Sequence, residues 1–395
     1  MAATFEPFAN LTELEEKARP HLSPAVYGYY SGGSERGATL HNNAAALARW
    51  HLLPRVLVDV TNVDTSCTVL GQRLSMPVIV APMAMKRLCH PDGQRLSMPV
   101  IVAPMAMQRL CHPDGELAMA RAAAACGISM CVSTMATSSL AEVAAASSAG
   151  ARHLWFQMYV LTRRDVSEMM VREAEALGYT ALVVTVDAPR LGKRDADVRN
   201  KFSLPSGLSL KNLERINRAA GLTKQEESEE GSAFGRHFTN LIDPSLTWDF
   251  VRWLKATSTL PVLVKATSML PVLVKGILAP SDARRAVEVG VDGIIISNHG
   301  GRQLDTVPAT IDMLPHVARA VNGRVPLLID GSIRRGSDVV KCLALGASAV
   351  LVGRPMLWAL TLGGQQGVQS ALELLQGEIE LDMALLGCRA LGLMP

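Results

Sequence analysis

Residues 297–305, with the sequence SNHGGRQLD, contain side chains that could do acid–base chemistry on a small organic acid. They follow the apolar run Gly293–Ile296, which is typical of a parallel strand buried on both faces. Histidine accepts a proton near neutral pH, and arginine binds a carboxylate through two parallel hydrogen bonds. His299 and Arg302 therefore suggest a base beside a carboxylate-binding group, although a turn with a structural histidine would fit the same residues.

Such residues need strands to position them, and the chain alternates short apolar runs with alanine-rich segments of helical period. Strands are predicted at residues 99–103, 128–133, 153–159, 181–187, 271–275, 293–298, 326–330 and 349–353. Helices are predicted at residues 116–126, 139–148, 164–177, 281–289, 311–321 and 337–345. A short N-terminal helical segment precedes them, and a capping box formed by Thr12 and Glu15 should start it.

Alternation of strands and helices predicts parallel βα units. Eight such units form a (β/α)8 TIM barrel, here a single domain over residues 1–395. An open doubly wound sheet would fit the same count. However, residues 104–107, which follow the first predicted strand, are PMAM and lack the glycine pattern of a dinucleotide-binding fold. The barrel is therefore favoured.

Two tandem duplications interrupt this order. Residues 71–92 recur at 93–114 with one change, Lys86 against Gln108, and residues 255–264 recur at 265–274 with one change, Thr259 against Met269. The copies are nearly identical and do not tile the chain, so they differ from solenoid repeats. Each contains one predicted strand, and a closed barrel has one position for each strand. We expect the second copy of each pair to enter the barrel.

A charged run, KQEESEEGS, lies within residues 201–247, which separate the fourth and fifth predicted strands. Runs of this composition are usually solvated. The segment falls on the face of a barrel where active sites form, so it is predicted to be a mobile loop, either a lid over the site or a disordered insert.

Polar or ionisable groups stand at the predicted strand ends, where barrels place their chemistry. In chain order these residues are Ser133, Gln157, Tyr159, Thr185, Asp187, Lys275, Ser297, His299, Asp330, Gly353 and Arg354. Any one of them alone would more often be structural, but their agreement predicts a catalytic barrel. A Schiff-base aldolase using Lys275 would leave His299 and Arg302 unexplained.

Residues 329–336, IDGSIRRG, and 351–354, LVGR, follow the last two strands, where barrels commonly bind a phosphate. An aspartate would repel a phosphate, so we expect Asp330 to accept hydrogen bonds from hydroxyl groups or neighbouring amides. A phosphate site, a lysine inside the barrel and a proton-accepting histidine together suggest a phosphorylated redox cofactor such as FMN.

Composition limits the class of protein. Hydrophobic residues make up 49% and charged residues 19% of the 395 residues, which is enough for a large core and too apolar for disorder. The net charge is +3 without a basic cluster, so no nucleic-acid partner is expected. The cysteines have no metal-ligand or disulfide-scaffold spacing, and we expect no metal. No secretory signal or membrane span is predicted. An intracellular protein of the cytoplasm or peroxisome is expected.

Several motifs together resemble the FMN-dependent L-2-hydroxy-acid oxidase family, of the glycolate oxidase and lactate oxidase type. They are PRVLVDVTNVDT, TMATSS, FQMYV, TVDAPRLGKRDAD, LVKGI, SNHGGRQLD, LIDGSIRRGSDV and VGRP, and the resemblance extends over nearly the whole chain. It implies the oxidation of a small L-2-hydroxy acid to the 2-oxo acid by an FMN enzyme. It also implies a homo-oligomer, a tetramer in the family's usual form.

The resemblance assigns roles to individual residues. His299 would be the base and Asp187 would stabilise its imidazolium, while Tyr159 would bond the 2-hydroxyl of the substrate. The residues implied to bind the substrate are Tyr29, Tyr159, Arg194, His299 and Arg302. Those implied to bind FMN are Ala106, Ser133, Gln157, Thr185, Lys275, Ser297, Asp330, Gly331, Arg334, Gly353 and Arg354.

Two positions bear on the substrate. Glycolate-oxidising members of the family usually have Thr where Met105 stands and Trp where Met135 stands, so this chain should have room for an additional methyl group. L-lactate is therefore favoured over glycolate, with O2 reduced to H2O2. A dehydrogenase of the same family that uses a cytochrome or a quinone is one alternative. A barrel inactivated by the duplications is the other.

Overall fold

In a computed structural model of the protein, residues 8–67, 69–70, 98–147, 154–214, 241–257 and 270–391 are described. The copy at 71–92 lies outside these ranges, as do most of 255–264 and the charged run within 201–247. The description below concerns the described residues.

Eight parallel strands form a closed barrel in the order in which they occur along the chain. They are β1 (Val100–Val102), β2 (Ser129–Ser133), β3 (Leu154–Met158), β4 (Ala181–Thr185), β5 (Val272–Ile277), β6 (Gly293–Ile296), β7 (Leu327–Ile329) and β8 (Ala349–Val352). Ile101 of β1 pairs with Ser129 of β2 on one side and with Leu351 of β8 on the other, which closes the barrel. The predicted (β/α)8 TIM barrel is confirmed.

Two apolar layers explain why the strands are continuous apolar runs. In β3, Trp155 packs with the inward-facing side chains inside the barrel, such as Ile101 and Leu351, whereas Leu154 and Phe156 pack in the layer between strands and helices. All five residues of β3 are buried. Successive side chains of a strand point to opposite faces, so a strand with both faces covered has no polar face.

The helices surround the barrel and cover its outer face. They are α1 (Glu13–Ala18), α2 (Pro24–Ser31), α3 (Ala38–Arg49), α4 (Gly115–Ala125), α5 (Leu140–Ala146), α6 (Arg164–Ala176), α7 (Asp195–Arg199), α8 (Trp248–Thr257), α9 (Pro280–Glu288), α10 (Thr310–Val321), α11 (Gly336–Ala344) and α12 (Arg354–Leu385). None of the helices in the described ranges is both long enough and apolar enough to cross a membrane.

The predicted capping of α1 by Thr12 is wrong. The Thr12 side chain makes no capping hydrogen bond. Instead, Asn10 Oδ1 accepts hydrogen bonds from the backbone N–H groups of Thr12 (3.0 Å) and Glu13 (3.2 Å). Asparagine caps a helix as well as threonine does, and the Asn10 amide also donates to Glu13 Oε1 at 2.6 Å. The cap therefore lies two residues earlier than the sequence pattern suggested.

The second copy of each duplicated segment supplies the strand, as predicted. β1 lies in the copy at 93–114, and β5 begins within the copy at 265–274. In the first pair the copies differ only at Gln108, which corresponds to Lys86. Gln108 is fully buried, its backbone N–H donates to Glu116 Oε1 at 3.0 Å, and its amide donates to the carbonyl of Met105 at 3.3 Å.

This difference allows a test with two deletion variants. Deleting 71–92 leaves Gln at the buried position, deleting 93–114 leaves Lys there, and the two products are otherwise identical. We expect both to form the barrel, and we expect the Lys-containing product to have the lower melting temperature, because burial of an ammonium group is costly. Thermal unfolding followed by circular dichroism measures the difference. Equal melting temperatures would show that the buried position accepts either residue.

Candidate active site

A cavity of about 1080 Å³, including its part open to solvent, lies at the C-terminal ends of the strands. Ligand sites in TIM barrels form at this face. All the predicted site residues line the cavity except Asp187 and Ser297, which touch lining residues from behind. The lining residues predicted from sequence are Tyr29, Ala106, Ser133, Gln157, Tyr159, Thr185, Arg194, Lys275, His299, Arg302, Asp330, Gly331, Arg334, Gly353 and Arg354.

His299 lies just after β6 and bonds to Asp187, which follows β4. The distance from His299 Nδ1 to Asp187 Oδ1 is 2.9 Å. The backbone of His299 is left-handed, with φ of 59°, and its N–H donates to Ser297 Oγ at 3.0 Å. An ionised carboxylate can only accept hydrogen bonds, so we assign the proton of the neutral ring to Nδ1. Nε2 is then the free acceptor.

Charges around this pair set its protonation. Burial lowers the pKa of His299 below the usual histidine value, and Lys275 and Arg194 act in the same direction, whereas Asp187 opposes them. Burial would raise the pKa of Asp187, but its hydrogen-bonded contact with His299 and the charge of Lys275 hold it below its usual value. The pair is therefore an ionised carboxylate beside a neutral imidazole at neutral pH.

Tyr159 faces the free nitrogen of the imidazole. Its hydroxyl lies 3.4 Å from His299 Nε2, at the outer limit of a hydrogen bond. Burial raises the pKa of Tyr159, and the Asp187 charge raises it further, so the phenol stays protonated. The hydroxyl and the imidazole nitrogen thus face the same part of the cavity.

Arg194 and Arg302 both lie over the ring of Tyr29. Their guanidinium carbons are 5.9 and 4.8 Å from the ring centroid, within the range of cation–π attraction. Arg302 Nη1 also donates to the carbonyls of Tyr29 and Tyr30. Burial and the nearby Arg302 lower the pKa of Arg194 to about 10, so the Arg194 guanidinium remains a cation at neutral pH. The Tyr29 ring also stacks on Phe202, with centroids 4.2 Å apart.

Asp197 and Phe202 belong to this site, and sequence reasoning missed both. Asp197 Oδ2 lies 3.8 Å from Arg194 Nη1, and the Asp197 side chain is only 4% exposed. Burial raises the pKa of Asp197, against the opposing effects of Arg194 and Arg302. The spacing of three residues between Arg194 and Asp197 is an available signal, since residues three apart meet on one helix face. No comparable signal marks Phe202.

Lys275, Ser297 and Asp330 form a second buried group at the wall of the cavity. Lys275 Nζ donates to Ser297 Oγ at 2.8 Å, and Ser297 Oγ donates to Asp330 Oδ2 at 2.8 Å. Burial would lower the pKa of Lys275, but Asp330 and Asp187 hold it above its usual value. Among the described residues, the buried Oδ1 of Asp330 has no hydrogen-bond partner. This oxygen is available to a ligand.

A polar row connects the ends of three adjacent strands. Ser133 of β2 donates to Gln157 Oε1 at 3.1 Å, and Gln157 of β3 donates through Nε2 to Thr185 Oγ1 of β4 at 2.9 Å. Beside the row, the carbonyl of Ala106 accepts a hydrogen bond from the Tyr30 hydroxyl at 3.1 Å. The row and this backbone present amide and hydroxyl groups along one side of the cavity.

Arg334 and Arg354 form the cationic end of the cavity, next to Gly331 and Gly353. Burial lowers the pKa of Arg334. Burial, followed by Arg302 and Arg334, lowers the pKa of Arg354 to about 9. Arg354 donates to the backbone carbonyls of Tyr30 (2.9 Å) and Gly300 (2.8 Å), which are neutral partners. Buried cations that repel one another are stabilised by a bound anion.

These features fit FMN. The cavity is lined by groups from the C-terminal ends of several strands, where barrels hold their cofactors. Its cationic end suits a phosphate, the unpartnered Asp330 oxygen suits a hydroxyl of the ribityl chain, and the polar row suits the edge of an isoalloxazine ring. The donors and acceptors are therefore of the kinds that each part of FMN needs.

Comparison with known proteins agrees with this chemistry. The family model described as FMN-dependent dehydrogenase matches residues 18–95 and 92–394, and the break between the two matches falls at the junction of copies 71–92 and 93–114. Glycolate oxidase 3 of Arabidopsis thaliana is 44% identical over 97% of this chain and 93% of its own length. 2-Hydroxyacid oxidase 1 of Homo sapiens is 43% identical over 96% of this chain and 93% of its own length.

The L-lactate oxidase of Nostoc sp. is 44% identical over 99% of this chain and 97% of its own length. Among solved structures, a mandelate oxidase with (S)-4-hydroxymandelic acid superposes with a TM-score of 0.84 at 41% identity, over 98% of this chain and 97% of that one. The chain therefore belongs to the FMN-dependent dehydrogenase family, among relatives named 2-hydroxy-acid oxidases, and is an FMN-dependent oxidoreductase.

Proposed function

We propose that this enzyme oxidises a small L-2-hydroxy acid to the 2-oxo acid, with L-lactate favoured over glycolate and with O2 as the electron acceptor. The observation that carries the proposal is the position of His299. Its Nδ1 bonds to Asp187 at 2.9 Å, its Nε2 faces the cavity beside Tyr159, and two arginines lie on Tyr29 in the same cavity. A base and a carboxylate clamp are the two groups that this reaction requires of the protein.

Arg194 and Arg302 bind the substrate carboxylate in this mechanism. Arginine carries a positive charge at neutral pH, and the Tyr29 ring, which stacks on Phe202, gives both side chains a rigid support. Guanidinium groups match the geometry of a carboxylate, so they orient the substrate as well as attract it. The Tyr29 side chain completes this end of the site.

His299 and Tyr159 act at the carbon that is oxidised. Nε2 of His299 accepts a proton from the substrate, and the ionised Asp187 stabilises the imidazolium that results. The protonated Tyr159 hydroxyl donates to the 2-oxygen of the substrate. These roles use the protonation states that the surroundings of each residue favour at neutral pH.

FMN, when bound, supplies the two-electron acceptor. Its ring would be held by Ala106 backbone, Ser133, Gln157, Thr185 and Lys275, its ribityl chain by Ser297 and Asp330, and its phosphate by Gly331, Arg334, Gly353 and Arg354. Lys275 stays positively charged in the barrel, where its charge favours negative charge on a neighbouring group.

The size of the substrate is proposed from the apolar part of the cavity. Met105, Met135 and Leu191 line it. Methionine is flexible and smaller than the tryptophan that the family resemblance associates with glycolate at position 135, so a methyl substituent has room. The names of the relatives include both glycolate and L-lactate oxidases, so the preference for L-lactate depends on these side chains.

The alternatives are weaker. The duplications would inactivate the protein if the wrong copy of a duplicated strand, or neither copy, closed the barrel. The barrel closes with β1 and β5 in place. A cytochrome- or quinone-linked dehydrogenase would use the same residues, and it differs only in the electron acceptor.

The oligomeric state stays a prediction. Leu53, Val56 and Leu57 are exposed by 80% or more, and a second copy of the chain in the implied tetramer could cover them.

An anaerobic absorption experiment tests the function. Adding L-lactate to the oxygen-free holoenzyme should bleach the flavin peaks, and glycolate should do so with lower kcat/KM. Readmitted O2 should restore the colour with one H2O2 per turnover. Reoxidation by a cytochrome or quinone but not by O2 would favour the dehydrogenase, and failure of every small 2-hydroxy acid to bleach the flavin would overturn the proposal.

A separate variant tests the preference for L-lactate over glycolate. Met135→Trp should lower kcat/KM for L-lactate relative to glycolate by about tenfold or more, since one methyl group in a tight pocket is worth about 1–3 kcal/mol. Met169→Trp is the matched control, because Met169 is 44% exposed and lies outside the cavity lining. An unchanged ratio in the Met135 variant would mean that the methyl group lies elsewhere.

The base is tested by His299→Gln. The variant should retain FMN, while kcat falls by about 10²–10⁴-fold, the usual contribution of a positioned base. In the unchanged enzyme, kcat/KM should fall as the pH is lowered, because protonation of His299 removes the base. The midpoint of this fall should lie below the usual histidine pKa, because burial lowers the pKa of His299. His316→Gln, at an exposed position in α10, is the control. Near-normal turnover of the His299 variant would exclude it as the base.

The carboxylate clamp is tested by Arg194→Met. Hydrogen bonds to charged groups are worth about 1.5–3 kcal/mol, so KM should rise roughly 10–100-fold. Arg199→Met, in the short helix α7 that begins directly after Arg194, is the control, since Arg199 is exposed. If KM stayed the same, the substrate carboxylate would have to bind without Arg194.

A further inference from the structure

The hydrogen bond between Asp187 and His299 joins two loops that do not follow adjacent strands. Asp187 lies after β4 and His299 lies after β6, and β5 is between these strands in the barrel. Strand pairing therefore does not set the separation of the two loops directly. The residues after β4 must lie across the end of β5 for the 2.9 Å bond to form.

The end of β5 is built for this crossing. Gly276 has φ of 110°, and the strand register shifts between Lys275 and Ile277. A Cβ atom at position 276 would lie 2.4 Å from Asp187 Cβ, which is too close for any side chain. Asp187 thus rests directly on bare backbone of β5, and positive φ of this kind is tolerated best by glycine.

The two loops also meet through their backbones. A Cβ atom at Gly192 would lie 2.4 Å from the carbonyl oxygen of Arg302, so the loop after β4 and the loop after β6 are in backbone contact there. Arg194 Nε lies 3.5 Å from the same carbonyl oxygen. Both functional pairs, Asp187 with His299 and Arg194 with Arg302, are therefore divided between these two loops.

Gln303 connects the loops through its side-chain amide. Nε2 donates to the carbonyl of Asp187 at 3.0 Å and to the carbonyl of Arg190 at 2.8 Å, and Oε1 accepts from the backbone N–H of Gly192 at 3.0 Å. Gln303 is 7% exposed and does not line the cavity. All three bonds go to backbone of the loop after β4, which an amide can do because it has both donors and an acceptor.

The loop after β6 is fixed on its other side by different contacts. The backbone N–H of Ser34 donates to the carbonyl of Gly301 at 2.7 Å, and the Asp305 carboxylate accepts from the N–H groups of Ala38 (3.1 Å) and Thr39 (2.8 Å). These bonds attach the loop to the segment around the start of α3. The same segment also contacts the loop after β4, because Ser34 Oγ (3.0 Å) and the backbone N–H of Glu35 (2.8 Å) donate to the carbonyl of Lys193. Gln303 is the side chain that bonds the loop after β6 directly to the backbone at positions 187, 190 and 192.

We propose that Gln303 is a positioning residue that holds Asp187 in register with His299 and Arg194 in register with Arg302 across β5. The residue touches neither substrate nor cofactor, and it acts through the loop between positions 187 and 192. The inference rests on the proposed function in one respect, the role of His299 as the base.

Two substitutions of Gln303 remove different numbers of these three hydrogen bonds. Gln303→Met keeps the approximate size and loses all three hydrogen bonds. Gln303→Glu keeps an acceptor for Gly192 N–H but has no donor for the carbonyls of Asp187 and Arg190. Gln369→Met is the matched control, because the Gln369 amide donates to Glu373 within α12, away from the cavity.

Turnover is the first readout. In full-length holoenzyme, both Gln303 variants should retain FMN and should lose about 10–100-fold in kcat, since misplacement of about 1 Å in a catalytic pair costs that much. The Gln369 control should match the unchanged enzyme. If only one of the two Gln303 variants folds, its kcat alone tests the positioning role.

The second readout reports on the His299 environment without turnover. The imidazole resonance of His299, assigned by its loss in His299→Gln, should titrate at lower pH in the Gln303 variants. Asp187 favours the imidazolium, while burial, Lys275 and Arg194 disfavour it, so moving Asp187 away leaves the opposing groups unbalanced. Loss of stability alone would lower the melting temperature without moving this titration.

The outcomes separate the two proposals. Unchanged kcat and an unchanged His299 titration in a folded Gln303 variant would overturn the positioning role, while the oxidase function would stand. An unchanged enzyme that no 2-hydroxy acid reduces would overturn the function. The titration shift would then still decide whether Gln303 positions Asp187 against His299.

Discussion

A closed barrel of parallel strands has one position for each strand, and here the hydrogen-bonded ring is complete because β1 pairs with both β2 and β8. Parallel strands all present their carboxyl ends at one rim. Side chains separated by a hundred residues or more in sequence, such as Asp187 and His299, consequently reach hydrogen-bond distance. The cavity and the proposed chemistry follow from this closure.

The distribution of buried charge at that rim determines which ligands it suits. Three carboxylates are each close to one cationic or titratable partner, as Asp187 is to His299, Asp330 to Lys275 and Asp197 to Arg194. Arg302 and Arg354 instead donate to backbone carbonyls, which carry no net charge. The rim therefore has an excess of positive charge in a poorly solvated space. A phosphate at one end and a carboxylate at the other would both reduce the repulsion.

Residues with a chemical signature were predictable, and residues that act through geometry were not. His299, Arg302 and Lys275 stood out because their types and their positions at strand ends implied reactions, and the apolar runs predicted the strands to within a few residues. Gln303 has partners that only the closed barrel brings near, so it could not be identified from local sequence. Asp197 differs, because its partner Arg194 is three residues away and that spacing is a local signal. The start of α1 was misjudged for a related reason, since Asn10 and Thr12 are equally good caps and local geometry chose between them.

The same topology explains how a finely positioned site coexists with two duplications. The additional residues precede β1 and β5 in sequence, so each insertion joins its strand at the N-terminal end, which is opposite to the cavity. In a TIM barrel, residues at that face contribute to stability and those at the other face to chemistry. Lengthening a connection is also cheap, with each doubling costing only about 0.6 kcal/mol in closure entropy. An insertion of similar length between Thr185 and Asp187, by contrast, would separate Asp187 from Gln303 and His299, which the reaction needs together.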